Sequence, residues 1–301
     1  MPSPQQKTVL ITGCSAGGIG ASLALEFHRR GHRVFATARD MAKMSDLAAA
    51  GVTCLALDTT SASSITAAVA HVTRDLSSSS PAPGLDVLIN NAGIHLIRPF
   101  MDCSIAELQR VMDTNVMGVM AVTHAFLPLL IAAKGVIATV GSTNEVMLPP
   151  FQSAYSASKA AVHAWGNTLR AELKPLGVRV VTVVTGAVRT RIFDNERERS
   201  AKTADASGGG AGERGLDLPE GSPYKPCEDI IRERRFLGKA KWQEADEYAR
   251  RVADALLQPA ATGTIWKGGL ATVAWVMSVL GWEGMLESAM MKENGLDQIK
   301  V

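Results

Sequence analysis

Short apolar runs rich in β-branched residues recur along the chain, and longer stretches with apolar positions every three or four residues lie between them. The first kind of run fits a buried strand and the second an amphipathic helix. Strands are predicted at Thr8–Thr12, Arg33–Ala38, Val52–Leu57, Leu85–Asn90, Val136–Val140, Arg179–Val184 and Thr264–Lys267. Helices are predicted around Ala21–Arg30, Ser63–Asp75, Ile105–Leu130 and Ala154–Leu173. Strands that are apolar throughout need cover on both faces, which indicates a parallel sheet. Right-handed crossovers then give an α/β, Rossmann-like, doubly wound sheet of about seven strands with helices on both faces.

Two stretches interrupt the alternation. Ser77–Gly84, rich in Ser and Pro, reads as a connection before the fourth strand. The stretch from about 191 to 241 is rich in Gly, Ser and charge, includes Gly208-Gly209-Gly210, and reads as a long loop excursion. Leaving the C-terminal edge of a strand, it is expected to be a substrate lid. One domain over residues 1–301 is expected, with a cofactor-binding and catalytic core at about 7–190 and an apolar helical tail at about 270–301. In that tail, Leu270–Trp282 is too short to cross a bilayer of about 30 Å as a helix. It is expected either to pack at a subunit interface or to touch a membrane or lipid droplet peripherally.

Composition narrows the class. A chain with 47% hydrophobic and 20% charged residues is globular, and 31 basic against 29 acidic residues give no reason to expect nucleic acid. Cys14, Cys54, Cys103 and Cys227 are scattered without CxxC spacing, which argues against a disulfide framework or a metal site. No basic-then-apolar leader precedes the first strand, so the expected location is cytoplasmic, with peripheral association at the ER or lipid droplets left open.

The chemistry-bearing residues lie at the strand ends and just beyond them. Thr12-Gly13-Cys14-Ser15-Ala16-Gly17-Gly18-Ile19-Gly20 is a strand end, a glycine-rich turn and a helix start. Such a turn lets backbone N–H groups approach a pyrophosphate. The second strand ends at Arg39, which favours a 2′-phosphate and hence NADP(H); with Asp40 as ribose ligand, Arg39 would simply be solvated. Asp58 is placed to hydrogen-bond an adenine or to cap the helix after Ser61, and Asn90-Asn91-Ala92-Gly93 closes the fourth strand with small residues. Tyr155 and Lys159 lie four residues apart and share one face of a helix. A neighbouring ammonium is expected to lower the phenol pKa toward neutrality. Ser142 lies upstream, and Asn115, set inside a helix, is expected either to have a functional task or to bond its own helix.

Together these motifs resemble the short-chain dehydrogenase/reductase family, of its classical type, from about residue 7 to 270. The resemblance implies a hydride transfer between a nicotinamide cofactor and a carbonyl or alcohol. Tyr155 would be the acid/base, Ser142 would bond the reacting oxygen, Lys159 would tune the tyrosine and hold the ribose, and Asn115 would hold a proton-relay water. Gly13, Ser15, Gly18, Ile19, Gly20, Arg39, Asp58, Asn91, Gly93, Tyr155 and Lys159 would line the cofactor site, with Val188 and Thr190 at the carboxamide. A homodimer or homotetramer is implied as well. Two departures stand out: the glycine turn is one residue longer than usual, leaving open whether Gly17 or Gly18 faces the phosphates, and Thr185-Gly186 replaces Pro-Gly, which should loosen that turn.

Within the family, the turn and the Tyr155–His163 segment are most similar to fungal 1-acyldihydroxyacetone-phosphate reductases, which implies a lipid-like ketone. Reductases of fungal polyketide, alkaloid or terpenoid pathways share the same template. Asn144, Glu145, Phe151, Gln152, His95 and the 191–241 excursion are candidate substrate walls. Within or beside that excursion, Arg189, Arg191, Arg197, Arg199, Lys225, Arg232, Arg234 and Arg235 are candidates for a phosphate site or for a solvated charged face. A cofactor-binding sensor or scaffold without turnover is the reading from another class.

Overall fold

The computed structural model describes residues 6–78, 84–206, 217–234, 241–280 and 287–299, with side chains at 200–206 and 287–289 left aside. Seven strands form one sheet: β1 (Thr8–Thr12), β2 (Arg33–Ala38), β3 (Thr53–Ala56), β4 (Val87–Asn90), β5 (Val136–Val140), β6 (Arg179–Thr185) and β9 (Gly263–Lys267). Their order is β3-β2-β1-β4-β5-β6-β9, and every pair is parallel. The two-residue strands β7 (Val188–Arg189) and β8 (Gln243–Glu244) pair separately.

Both faces of the sheet are buried, as the continuous apolar runs require. Val9 and Ile11 face a core completed by Leu23 and Phe27 of α1 (Ile19–Arg29), Leu47 of α2 (Ser45–Ala49) and Tyr248 and Val252 of α10 (Ala245–Leu256). Leu10 points the other way, into a core with Val72 of α3 (Ala62–Ser77), Phe126 and Leu130 of α5 (Gly118–Ala133), and Leu173 at the end of α7 (Ser153–Leu173). The period of two along β1 thus feeds two separate apolar layers.

The segment expected as one helix over Ile105–Leu130 is α4 (Ile105–Met112), a π-helical turn (Asp113–Met117) and α5. Such a turn adds a residue to the helical repeat and re-aims the next stretch of helix; here it holds Asn115. The 191–241 excursion is not the loop that its Gly, Ser and charge indicated. Ile192–Ala206 is a helix, α8, whose Arg, Glu and Ala content favours helix, and α9 (Glu228–Glu233) comes after it. Gly208–Gly210 and Arg235 lie outside the described residues.

The turn at Thr185-Gly186 is tight rather than loosened. Gly186 N donates to Lys267 O at 2.8 Å, Thr143 N donates to Thr185 O at 2.9 Å, and the Thr185 hydroxyl lies 2.6 Å from the buried Tyr248 hydroxyl. A Cβ on Gly186 would lie 1.8 Å from Gly269 O, and its nearest neighbours there are all backbone atoms. Gly186→Ala is therefore expected to cost about 3 kcal/mol of stability, read as a lower denaturation midpoint; an unchanged midpoint would show that the turn can open.

At the C-terminal side, α11 (Ala271–Leu280) buries Ala271 and Ala274 and exposes Val273, Trp275, Val276, Val279 and Leu280. The helix α12 (Glu287–Glu293) comes next, and residues 281–286, including Trp282, lie outside the described residues.

Candidate active site

Between β1 and β4 the chain reverses its direction across the sheet, and the strand ends open a cavity of about 780 Å³. A crevice of this kind at a topological switch point is where open α/β sheets take ligands. Gly13, Ser15, Gly18 and Ile19 line it from the glycine turn, Arg39 and Lys43 from beyond β2, Asp58 from beyond β3, and Asn91 and Gly93 from beyond β4. Thr190, Ile192, Asn195 and Arg199 close it from the β7 and α8 side.

The glycine turn resolves its own ambiguity. Gly17 takes φ +72° and a Cβ there would press on Arg191, whereas Gly18 lines the cavity and is the N-cap of α1, with no side-chain cap bond. The free N–H groups of the first turn of α1 thus carry positive potential into the cavity. Gly20 does not line it: a Cβ there would lie 2.5 Å from Gly13 O, so this glycine lets α1 pack on β1. Asn91 ties the two central strands together, its Nδ2 donating to Thr12 O (2.8 Å) and Gly13 O (3.0 Å).

Beyond β2, the Asp40 carboxylate accepts from Ala42 N at 3.0 Å and caps a 3₁₀ turn over Met41–Met44. That engagement directs Asp40 to its own backbone and leaves Arg39 and Lys43 on the cavity wall. Lys43 was not singled out in the sequence, although an Asp cap just after the strand is the signal that would fold it back. Its carbonyl also accepts from Ala16 N (2.9 Å), pinning it to the glycine turn. Asp58 is not the cap of α3, a position Ser61 holds; its carboxylate accepts from Thr60 N and Oγ1 (2.9 and 2.8 Å).

Beside the cavity, off its wall and next to Gly93, stands the cluster from beyond β5 and from α7. Ser142, Tyr155 and Lys159 are all buried. Lys159 Nζ donates to Val140 O (2.9 Å) and lies 5.7 Å from the centroid of the Tyr155 ring. A Cβ on Gly93, a cavity residue, would lie 3.6 Å from that Nζ. Burial pushes the Tyr155 phenol up to about 12, with the Ser142 hydrogen bond pulling down and Glu145 pushing up, and burial brings the Lys159 ammonium down to about 8. The expected lowering of the tyrosine by Lys159 is therefore not what the structure gives. Desolvation of a phenol packed under His95 outweighs an ammonium that spends its hydrogen bond on Val140 O.

Asn115 is fully buried and neither bonds its own helix nor has side-chain donors to spare. Its Oδ1 accepts from Ile94 N (2.8 Å), and Nδ2 donates to Ile94 O (2.9 Å) and Ser158 Oγ (3.0 Å). Ser158 in turn donates to Tyr155 O (2.7 Å). The π-turn thus clamps the β4 loop to the part of α7 that carries Tyr155.

The family model for short chain dehydrogenases matches residues 7–201. A short-chain dehydrogenase/reductase of Pestalotiopsis microspora is 35% identical over 98% of this chain and 96% of its own. The NADPH-dependent 1-acyldihydroxyacetone phosphate reductase of Schizosaccharomyces pombe is 40% identical over 94% of this chain and 88% of its own. A solved short-chain dehydrogenase from Streptomyces avermitilis superposes with a TM-score of 0.74 at 25% identity, covering 95% of this chain and 96% of that one. The chain belongs to the short-chain dehydrogenase/reductase family.

As a member of this oxidoreductase family, the protein brings Gly13, Ser15, Gly18, Ile19, Arg39, Asp58, Asn91, Gly93 and Thr190 to one cavity wall, whereas Gly20, Asn115, Ser142, Tyr155 and Lys159 lie off it. Val188 is 5% exposed inside the core, beside its β8 partner Gln243, and lies off the cavity wall. Glu145 turns away from the cavity toward His163 Nδ1, at 2.5 Å. Most of the basic candidates are paired: Arg189 with Glu244, Arg191 with Glu198, Lys225 with Glu228, Arg232 with Asp229, and buried Arg234 with Glu196. Arg199 lines the cavity and donates to His95 O at 3.4 Å. His95 itself stacks on Tyr155 with centroids 4.0 Å apart, and Phe193 and Trp242 continue the aromatic wall. Burial and then the Arg234 charge hold the His95 pKa down at about 3, so the ring is neutral.

Proposed function

We propose that this dehydrogenase/reductase is an NADPH-dependent reductase of a ketone carbonyl on a lipid-like substrate such as a 1-acyldihydroxyacetone phosphate. The observation that carries the reading is one cavity with the cations Arg39 and Lys43 on its wall, together with Gly93, behind which Lys159 stands with Tyr155 and Ser142. The fit to a dinucleotide rests on this chain's own groups: an uncapped helix N-terminus for a pyrophosphate and paired cations for a 2′-phosphate. A reduced nicotinamide, when bound, supplies the hydride. Tyr155 holds its proton at neutral pH and delivers it to the carbonyl oxygen as charge grows there. The Ser142 hydroxyl bonds the same oxygen, a buried, preorganised donor. Lys159 supplies the positive charge that offsets the phenolate left behind, and Asn115 orients α7 through Ser158.

The lipid-like substrate is supported by the acyldihydroxyacetone-phosphate reductase of fission yeast at 40% identity. Arg199, on the cavity wall, would serve a substrate phosphate, residues 191–241 would act as the lid, and the apolar face of α11 would suit a membrane-derived substrate. The aromatic wall of His95, Phe193 and Trp242 favours a second reading, a bulky ring ketone of the polyketide, alkaloid or terpenoid kind. Purified enzyme with NADPH should reduce 1-acyldihydroxyacetone phosphate with a kcat/KM at least about tenfold above that for bulky alicyclic and aromatic ketones. The reverse ranking would establish the second reading, and no turnover on either set would turn the assignment toward a non-catalytic NADP(H)-binding protein.

A further inference from the structure

Three residues after Ser142, off the cavity wall, lies a buried carboxylate that the chemistry above does not use. Glu145 belongs to the short helix α6 (Asn144–Met147), and its N–H donates to Ser142 O at 3.2 Å. Its side chain is 4% exposed. One oxygen, Oε1, meets His163 Nδ1 at 2.5 Å, and the other, Oε2, is buried with no hydrogen-bond partner. His163 Nε2 is 3.1 Å from Thr264 Oγ1, so a ring protonated at Nδ1 donates to Glu145 and accepts from the threonine. Three elements, α6, α7 and β9, hold this carboxylate in one place.

A buried carboxylate with an unpartnered oxygen is costly, and it persists where a neighbouring cation offsets its charge. Lys159 is that cation: its buried ammonium donates to Val140 O at 2.9 Å, and the unpartnered Glu145 Oε2 lies at the next residue, 3.5 Å from where a Cβ on Gly141 would sit, so that its charge acts on Lys159 and Tyr155 alike. We propose that Glu145, oriented by His163, is a positioning residue, the buried counter-charge that keeps Tyr155 and Lys159 both protonated and so sets the site for carbonyl reduction. This rests on the reading of Tyr155 as the proton donor. The sign is the same for both groups, because a nearby anion opposes loss of a proton from a phenol and from an ammonium.

The titratable groups around the carboxylate are few among the described residues. Tyr155, Lys159 and His163 come from α7, and Tyr248 of α10 stands behind Thr185. On β9 the group is Lys267, while α11 has no titratable residue over Ala271–Leu280. In β5 and β6 there is only Arg179, at the opposite end of the sheet. Reduction needs both protons, so the wild-type rate should fall as pH rises through the Lys159 value of about 8.

The test is the pH dependence of kcat for NADPH-driven reduction of phenanthrenequinone, a small probe that does not depend on the natural substrate. In Glu145→Gln the alkaline limb should move down by about one pH unit, a tenfold loss at pH values above it. His163→Asn, which frees the carboxylate to turn, should move the limb the same way by less, and Glu145→Asp should restore it. A limb that stays at the wild-type pH in both Glu145→Gln and His163→Asn, whatever the loss of amplitude, overturns the proposal and leaves the pair a packing device. An inactive wild type would instead count against the reductase reading. In that case the same comparison is made on tyrosinate absorbance, with Tyr155→Phe as the blank, and an unshifted onset in Glu145→Gln again overturns the role of Glu145.

Discussion

Tyr155→Phe is expected to reduce kcat/KM for carbonyl reduction by about 10³-fold or more while leaving NADPH binding within about twofold. The substitution removes one hydroxyl and keeps the ring that stacks 4.0 Å from His95, so the fold has no cavity to absorb. Ser142 loses the partner whose hydrogen bond opposes the rise of the phenol, and the carbonyl oxygen loses its proton source. Lys159, anchored on Val140 O, should stay in place and so leave cofactor binding unchanged. Steady-state rates with NADPH and quenching of bound NADPH fluorescence separate the two effects. Turnover that survives the change would rule Tyr155 out as the proton donor, and binding lost together with turnover would make it a structural residue.

The fold was legible because the β-branched runs are both short and sharply bounded. β1, β2 and β5 have the expected limits, and the rest differ by one or two residues at their ends. The catalytic candidates were legible for a different reason: Ser142, Tyr155 and Lys159 come after β5 at spacings that α6 and α7 preserve. The features hidden from the sequence depend on contacts between distant segments. The π-turn at Asp113–Met117 exists with Asn115 bonded to residues 21 and 43 positions away. The upward shift of the phenol comes from burial in a site that distant segments close, with His95 of another strand's loop packed on the ring, and no local spacing reports it. Glu145 and His163 meet across 18 positions, and Lys43 reaches the cavity through a capped 3₁₀ turn. Local periodicity placed the elements, but not the direction in which their polar side chains finally point.

Cofactor choice carries the other large effect. Arg39→Ala should raise the KM for NADPH by about tenfold to a hundredfold and that for NADH by no more than a few-fold. That is the scale of one or two charge-assisted hydrogen bonds to a phosphate. The geometry makes the prediction one-sided. Asp40, the residue that could have served a ribose hydroxyl and turned away a phosphate, is committed to Ala42 N as the cap of its own turn. With that carboxylate engaged, Arg39 and Lys43 face the cavity without an acidic group directed at them from the same turn. Lys43→Ala should act in the same direction but more weakly, because an ammonium offers a point charge where a guanidinium offers a planar fork. Removing both should bring the two cofactors close to parity, since a pyrophosphate on Gly18 and the first turn of α1 would be held equally well from either one. Equal rises for NADPH and NADH in Arg39→Ala would place the arginine on the shared part of the dinucleotide and remove the basis for an NADPH preference.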